Sequence, residues 1–160
     1  MVQTVVNKKQ AFGIEGSIYD QSPVRASAYI AGTGGVTIGK VCTHSASTPD
    51  VVALGGSDVF AGVAINHLEY ANASGLSASM SVPAGTQVTC CTFGHVVVRS
   101  ATAFSIGYDA IYDTTTGAIS AVADASAEGA IPEGSALIPN AKFILVNGSA
   151  GELGVLELSK

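Results

Sequence analysis

The segment Thr86–Arg99 reads TQVTCCTFGHVVVR and has the clearest strand pattern in the chain. Its first half alternates apolar and polar residues and its second half contains three valines, which is typical of a β-strand with a buried face. Cys90 and Cys91 are adjacent on this strand, so their side chains must point to opposite faces. We therefore expect one thiol in the core and the other at the surface or an interface, with no metal ion shared between them.

Shorter strand patterns and turn signals lie on both sides of this segment. Two hairpins are predicted, around the loops Asp113–Gly117 and Asn147–Gly151, because each loop contains glycine and separates two apolar runs. Further strands are predicted over Val36–Cys42 and Val59–Ile65, and short turns of helix over Asn66–Ala71 and Val122–Ala130. Turn signals recur about every 8–12 residues. The sequence therefore predicts an all-β fold, a compact β-barrel or jelly-roll-like sandwich.

The composition excludes several classes of protein. The chain has 160 residues and a formal net charge of −5, with only seven lysines and arginines, so direct binding to nucleic acid is not expected. No apolar run reaches the length of about 18 residues that a membrane-spanning helix needs, and no signal peptide is visible. The three cysteines cannot form a closed set of disulfides, which favours reduced thiols in a protein synthesised in a cytoplasm.

The N-terminal residues differ in charge from the rest of the chain. Residues 1–12 contain Lys8 and Lys9 and no acidic residue, which is a charge of +2. Residues 13–160 contain five basic and twelve acidic residues, which is a charge of −7. We therefore predict an extended N-terminal arm over residues 1–12 and a single β domain over residues 13–160.

Two long tracts contain no Asp, Glu, Lys or Arg. Tyr70–Val98 spans 29 residues and Ala26–Gly39 spans 14 residues. Soluble proteins usually distribute charge over their surface, whereas the cores of interfaces are depleted in charge. These tracts therefore predict surface that contacts other protein.

Residues that could carry chemistry do not form a recognisable site. Gly34–Lys40 has the spacing of a phosphate-binding loop, but Val41 stands where a magnesium-binding hydroxyl is needed. Each histidine lacks a second ligand at a metal-binding spacing: His44, His67 and His95. A Cys91–His95 nucleophile pair would need a turn between them, because four residues of extended strand span about 13 Å. We therefore predict no catalytic residue, no metal site, no cofactor and no enzymatic activity.

Five segments, in order along the chain, resemble the structural cement proteins, or head decoration proteins, of tailed bacteriophages. They are Gln10–Gly16 (QAFGIEG), Phe60–Ala71 (FAGVAINHLEYA), Pro83–Val88 (PAGTQV), Gly107–Ile119 (GYDAIYDTTTGAI) and Ile138–Phe143 (IPNAKF). None of these segments is diagnostic alone, but together their order and spacing cover most of the chain. The sequence is therefore identified as a member of this family.

The resemblance implies a virion protein on the outer surface of a phage capsid. Proteins of this family are compact β-barrels or jelly-roll sandwiches that bind across joints between major capsid proteins of HK97-type fold and stabilise the expanded shell. A homotrimer is expected, with a homodimer as the alternative. The implied partners are the major capsid protein and further copies of this chain, without direct contact to nucleic acid or to a membrane.

The implied role assigns contacts to particular residues. In the arm, Lys8 and Lys9 are expected to face acidic groups of the capsid, and the apolar anchors are Val2, Val5, Val6 and Phe12. Self-association is expected through four residues of the neutral tract: Tyr70, Leu76, Met80 and Val82. The alternative function is a virion-surface β module that binds host carbohydrate or a host receptor, which would need exposed aromatic side chains.

Overall fold

The computed structural model describes residues 13–66 and 80–159, and these residues form eleven strands and no helix. The strands are β1 (Arg25–Ala31), β2 (Val36–Thr37), β3 (Val41–His44), β4 (Val51–Leu54), β5 (Phe60–Ala64), β6 (Ser81–Val82), β7 (Gln87–Arg99), β8 (Asp109–Asp113), β9 (Ile119–Val122), β10 (Ser135–Ile144) and β11 (Leu153–Ser159). The all-β prediction is confirmed. The predicted arm, residues 67–79 and Lys160 lie outside the described residues.

Five of the strands close into a barrel. They pair in the order β1-β4-β3-β5-β7, and β1 also pairs with β7, which closes the ring. All of these pairs are antiparallel except β1–β4, in which Ile30 lies opposite Val51. Closure removes most of the free edges that an open sheet of five strands would have.

The C-terminal half of β7 leaves the barrel and begins a second sheet layer. It pairs with β11, and the order continues β11-β10-β8-β9. Both predicted hairpins are confirmed: β8–β9 encloses Asp113–Gly117, and β10–β11 encloses the second loop. In the first hairpin, a carboxylate oxygen of Asp113 accepts backbone N–H bonds from Thr115 and Thr116, which fixes the turn. We call β8–β11 the outer sheet.

The two faces of β7 contribute to two separate cores. Cys90 lies in a barrel core with side chains from all five barrel strands, and Cys91 lies in an interlayer core between the barrel and the outer sheet. Both thiols are 0% exposed. The prediction of opposite faces is correct. The prediction that one thiol reaches the surface or an interface is wrong, because the outer sheet covers the second face.

Two local predictions from the sequence are also wrong. The predicted strand Val36–Cys42 is two strands, because the chain turns at Gly39, which has φ +81°. The predicted turn of helix over Val122–Ala130 is a series of non-helical turns. There the Asp124 carboxylate accepts hydrogen bonds from the backbone N–H and the hydroxyl of Ser126, which competes with helix formation.

We predict that Gly62→Ala destabilises the fold by about 3 kcal/mol, because Gly62 combines an unusual backbone conformation with close neighbours. Its φ is +138°, and an added Cβ would lie 2.7 Å from the carbonyl oxygen of Cys91. Gly85→Ala is the matched control, because Gly85 also has positive φ but open space around it, so it should cost only about 1 kcal/mol. Urea unfolding measures both, and equal losses would contradict the close-contact explanation.

Candidate functional site

Residues 13–24, which we call the arm root, connect the predicted arm to β1 and lie along β7. The backbone N–H of Gly16 donates to the carbonyl oxygen of Val97 at 2.7 Å, and the N–H of Val97 donates to the carbonyl of Ser17 at 2.8 Å. The N–H of Tyr19 donates to the carbonyl of His95 at 2.9 Å. The arm root is therefore held to the C-terminal half of β7 by the same kind of bonds that join the strands.

An ion-pair cluster fixes the arm root at its first turn. The Glu15 carboxylate lies 3.6 Å from Nζ of Lys40 through Oε1, and accepts a hydrogen bond of 3.2 Å from Nε of Arg99 through Oε2. Glu15 is largely buried, with 19% of its side chain exposed, and a Cβ at Gly39 would overlap it. Lys40 lies directly before β3, and Arg99 is the last residue of β7. The Glu15 carboxylate therefore ties the arm root to both strands.

A second polar cluster holds the far half of the arm root. Oδ2 of Asp20 lies 2.8 Å from Nδ1 of His95, and Oδ1 accepts hydrogen bonds from the hydroxyl and the backbone N–H of Ser22. These hydrogen bonds lower the pKa of Asp20 from 3.8 to about 2. The hydroxyl of Ser22 contributes most and His95 contributes next. Asp20 is therefore ionised throughout the physiological range.

The arm root also exposes apolar side chains. Of the nine large apolar side chains that are exposed among the described residues, four lie in these twelve positions: Ile14, Ile18, Tyr19 and Val24. Ile14 is 54% exposed. Exposed apolar groups concentrated beside fixed charges are typical of surface that contacts another protein.

The structure places only part of the residues predicted to make contacts. Six predicted capsid-contact residues lie outside the described residues, namely Val2, Val5, Val6, Lys8, Lys9 and Phe12, and so do Tyr70 and Leu76. Met80 is half-buried, and its carbonyl accepts the N–H of Ile38 at 2.9 Å. Val82 is 4% exposed and packs in the barrel core opposite Val36, so its side chain is not available to a second copy in this structure.

The residues considered for catalysis are engaged elsewhere. The Cys91 thiol donates to the carbonyl of Phe93 at 3.2 Å, while His95 pairs with Asp20, so Cys91 and His95 form no pair. A hydrogen bond with Cys42 and burial raise the pKa of the Cys90 thiol, and burial raises the pKa of Cys91. Both thiols are therefore protonated and unreactive.

The remaining candidates for ligand chemistry are structural in the described part of the chain. The segment Gly34–Lys40 contributes β2 and an ion-paired lysine, and does not form a phosphate-binding loop. His44 is 2.9 Å from the carbonyl of Pro49 through Nδ1. Residues 13–66 and 80–159 contain no group of three or more His, Cys, Asp or Glu side chains that could hold a metal ion.

Comparison with known proteins agrees with this architecture. The sequence matches the family described as structural cement protein (E217 gp24/Pam3 gp6) over residues 2–159. The chain belongs to the phage structural cement protein family. The resemblance found in the sequence is thereby confirmed, and this cement protein is a structural component of a phage capsid.

Two solved structures illustrate the similarity of this cement protein to known folds. One is from the capsid of Myoviridae phage XM1, with 13% identity, a TM-score of 0.69, and 99% of this chain and 98% of that chain covered. Another is the head fiber gp8.5 N base of bacteriophage phi29, with 12% identity, a TM-score of 0.49, and 86% and 95% covered. The XM1 similarity shows that the fold is shared. No curated protein matches the sequence.

Sequence reasoning did not identify the anchor of this cement protein's arm root. Glu15, Lys40 and Arg99 are far apart in the sequence, and no local spacing connects them. The only signal was that Glu15 lies inside the first segment that resembles the family. In a separate respect, the described residues contain no helix with the length and apolar character needed to cross a membrane.

We predict that Ser22→Ala raises the pKa of Asp20 from about 2 toward its ordinary value of 3.8, because the largest stabilising hydrogen bond is lost. Since the folded pKa is below the unfolded value, Asp20 stabilises the fold above about pH 4, and this contribution is lost as the pH falls toward 2. NMR titration of the Asp20 carboxyl carbon measures the pKa, and Asp20→Asn identifies the resonance. A wild-type midpoint near 3.8 would contradict the prediction.

Proposed function

We propose that this cement protein binds the outer surface of a phage head and clamps neighbouring major capsid proteins of HK97-type fold. In this role it stabilises the expanded shell against pressure from the packaged genome. Synthesis in the host cytoplasm would supply the folded protein for addition to the shell. Membership of the cement protein family supports the capsid role, and the features of the arm root support the way in which the clamp is made.

The observation that carries the proposal is the fixed arm root. A clamp must transmit force between the partner that the arm holds and the body of the protein. Here the arm root is bonded to β7 at Val97 and His95 and ion-paired through Glu15 to Lys40 and Arg99. Because β7 belongs to both sheet layers, force on the arm would be distributed over the whole domain.

Charge supports the arm as the capsid-contact element. The arm carries +2 from Lys8 and Lys9, and the remaining residues carry −7. Lysines on an acidic protein steer the arm toward acidic groups of the shell, while Val2, Val5, Val6 and Phe12 supply apolar area. The exposed apolar side chains of the arm root extend this contact surface toward the barrel.

In the proposed mechanism, the contacts made by many copies of the cement protein add up around the shell. A standard interface buries about 800 Å² per partner, and one molecule that touches two capsid subunits ties them together. Shell expansion would create the matched pair of sites, so binding would favour the expanded state. Self-association through the neutral tract around Tyr70, Leu76 and Met80, as a homotrimer or a homodimer, would add avidity.

We predict that deletion of Met1–Gln10 abolishes capsid binding without changing the thermal unfolding of the domain, because the deleted residues carry the contacts. Replacing the same ten positions with glycine and serine should have the same effect, which separates side-chain contacts from chain length. Lys8→Gln with Lys9→Gln should weaken binding on the order of tenfold. Co-sedimentation with particles lacking the protein measures occupancy, and full binding by the deletion variant would refute the assignment.

A second measurement tests the clamping itself. Particles that lack the cement protein should release their genome at a lower temperature, and added wild-type protein should raise that temperature in proportion to occupancy. Arm-deleted protein at the same concentration is the control and should leave the release temperature unchanged. An unchanged release temperature at full wild-type occupancy would leave decoration or host binding as the role instead of clamping.

A further inference from the structure

Strand β1 is exposed to an unusual degree for a barrel strand. Arg25–Ala28 are exposed, Tyr29 is half-buried and Ile30 is 46% exposed. One edge of β1 pairs with β7 along its whole length, but the other edge pairs with β4 only at Ile30 and Ala31. The first five residues of β1 therefore have one edge without a neighbouring strand among the described residues.

The hydrogen-bond pattern shows which backbone groups face this edge. Ala31 donates its N–H to Thr86 ahead of β7, at 2.9 Å, whereas Ile30 donates to the carbonyl of Asp50 on the β4 side, at 2.9 Å. Because N–H groups alternate in direction along a strand, Ala26 and Ala28 direct theirs outward, as Ile30 does. Among the described residues, neither N–H group has a backbone bond outside the β1–β7 ladder, and the alternation of that ladder directs both away from β7.

This edge lacks the usual protection against pairing. Exposed edges are normally blocked by inward-pointing charges, by proline or by a covering segment. Ala26–Gly39 contains no charged residue and no proline, and Ala26, Ser27 and Ala28 have short side chains that permit close approach. The middle of the edge, Ala26–Ala28, is therefore accessible and uncharged, which suits the addition of another strand.

Opposite charges stand at the two ends of the open edge. Arg25 begins β1, and Asp50 lies beside Ile30 where the β4 pairing starts. Both residues are exposed, and neither forms an ion pair among residues 13–66 and 80–159. An edge with a positive charge at one end and a negative charge at the other is complementary to a second, antiparallel copy of itself.

We propose that two copies of this chain pair through the open edges of β1, antiparallel about a two-fold axis. Ala26 of each copy lies opposite Ala28 of the other, and Arg25 of each copy lies near Asp50 of the other. Of the two oligomers considered above, this contact selects the homodimer. This proposal does not rest on the proposed capsid binding, because the dimer is measured with the free protein.

Charge reversal across the axis tests the pairing. Arg25→Glu alone or Asp50→Lys alone creates two pairs of like charges in each dimer, one on either side of the two-fold axis. Each single variant should therefore weaken the dimer by tenfold or more. The double variant R25E/D50K exchanges the charges and should restore the dimer to within about threefold of wild type. Glu128→Lys is the charge-matched control and should have no effect, because Glu128 is exposed in the loop after β9, at the opposite end of the strand order from β1. Sedimentation equilibrium of the full chain measures the dissociation constant.

Amide exchange gives a second readout for the same proteins, independent of charge. The N–H groups of Ala26 and Ala28 should exchange quickly in the monomer and slowly in the dimer, while those of Ser27 and Tyr29, which face β7, stay protected in both. Four outcomes would overturn the proposal: a monomer at all concentrations, a dimer that the double variant does not restore, protection already present in the monomer, or protection only on the capsid. The last two would mean that the chain's own segment or a capsid segment covers the edge.

Discussion

Burial of β7 on both faces is the constraint on which the rest of the structure depends. Cys90 and Val88 face the barrel core, while Cys91, Val96 and Val98 face the interlayer core. Neither face can carry a charge at these positions, because an unpaired buried charge is costly. This explains the absence of charge at the buried positions of Val88–Val98 without invoking an interface, since both cores and interfaces exclude charge.

The sequence predicted the parts of the fold that are local. The hairpin around Asp113–Gly117 was predicted because its turn residues and both strands lie within a few positions. Strand β1 was not predicted, because Ala26, Ser27 and Ala28 have low strand propensity. These residues form a strand because they pair with β7. The break at Gly39 was not predicted for a related reason. A side chain at this position would overlap Glu15, and Glu15 is brought next to Gly39 only by the tertiary fold.

The geometry of the arm root could not be predicted from the sequence, and the predicted contacts of residues 1–12 stay a prediction. The charge of residues 1–12 indicated an arm, and the family resemblance supplied its role. No periodicity or spacing could show that Glu15 would lie between Lys40 and Arg99, because folding of the barrel brings these residues together. The neutral tract Ala26–Gly39 was marked as contact surface, but its division into an exposed edge and buried residues such as Val36 required the β1–β7 and β2–β6 registers.

The arm root and the β1 edge differ in strength, and this difference suits a protein that assembles on a shell. The arm root combines backbone bonds with a largely buried carboxylate, so it stays in place when the arm is loaded. The β1 edge offers few bonds and small side chains, and a net charge of −5 opposes association in dilute solution. On a capsid, copies held at adjacent sites would meet at an effective concentration of about a millimolar, so a dimer that partly dissociates in dilute solution would be fully formed there. The proposed β1 contact would therefore be reversible before assembly and persistent after it.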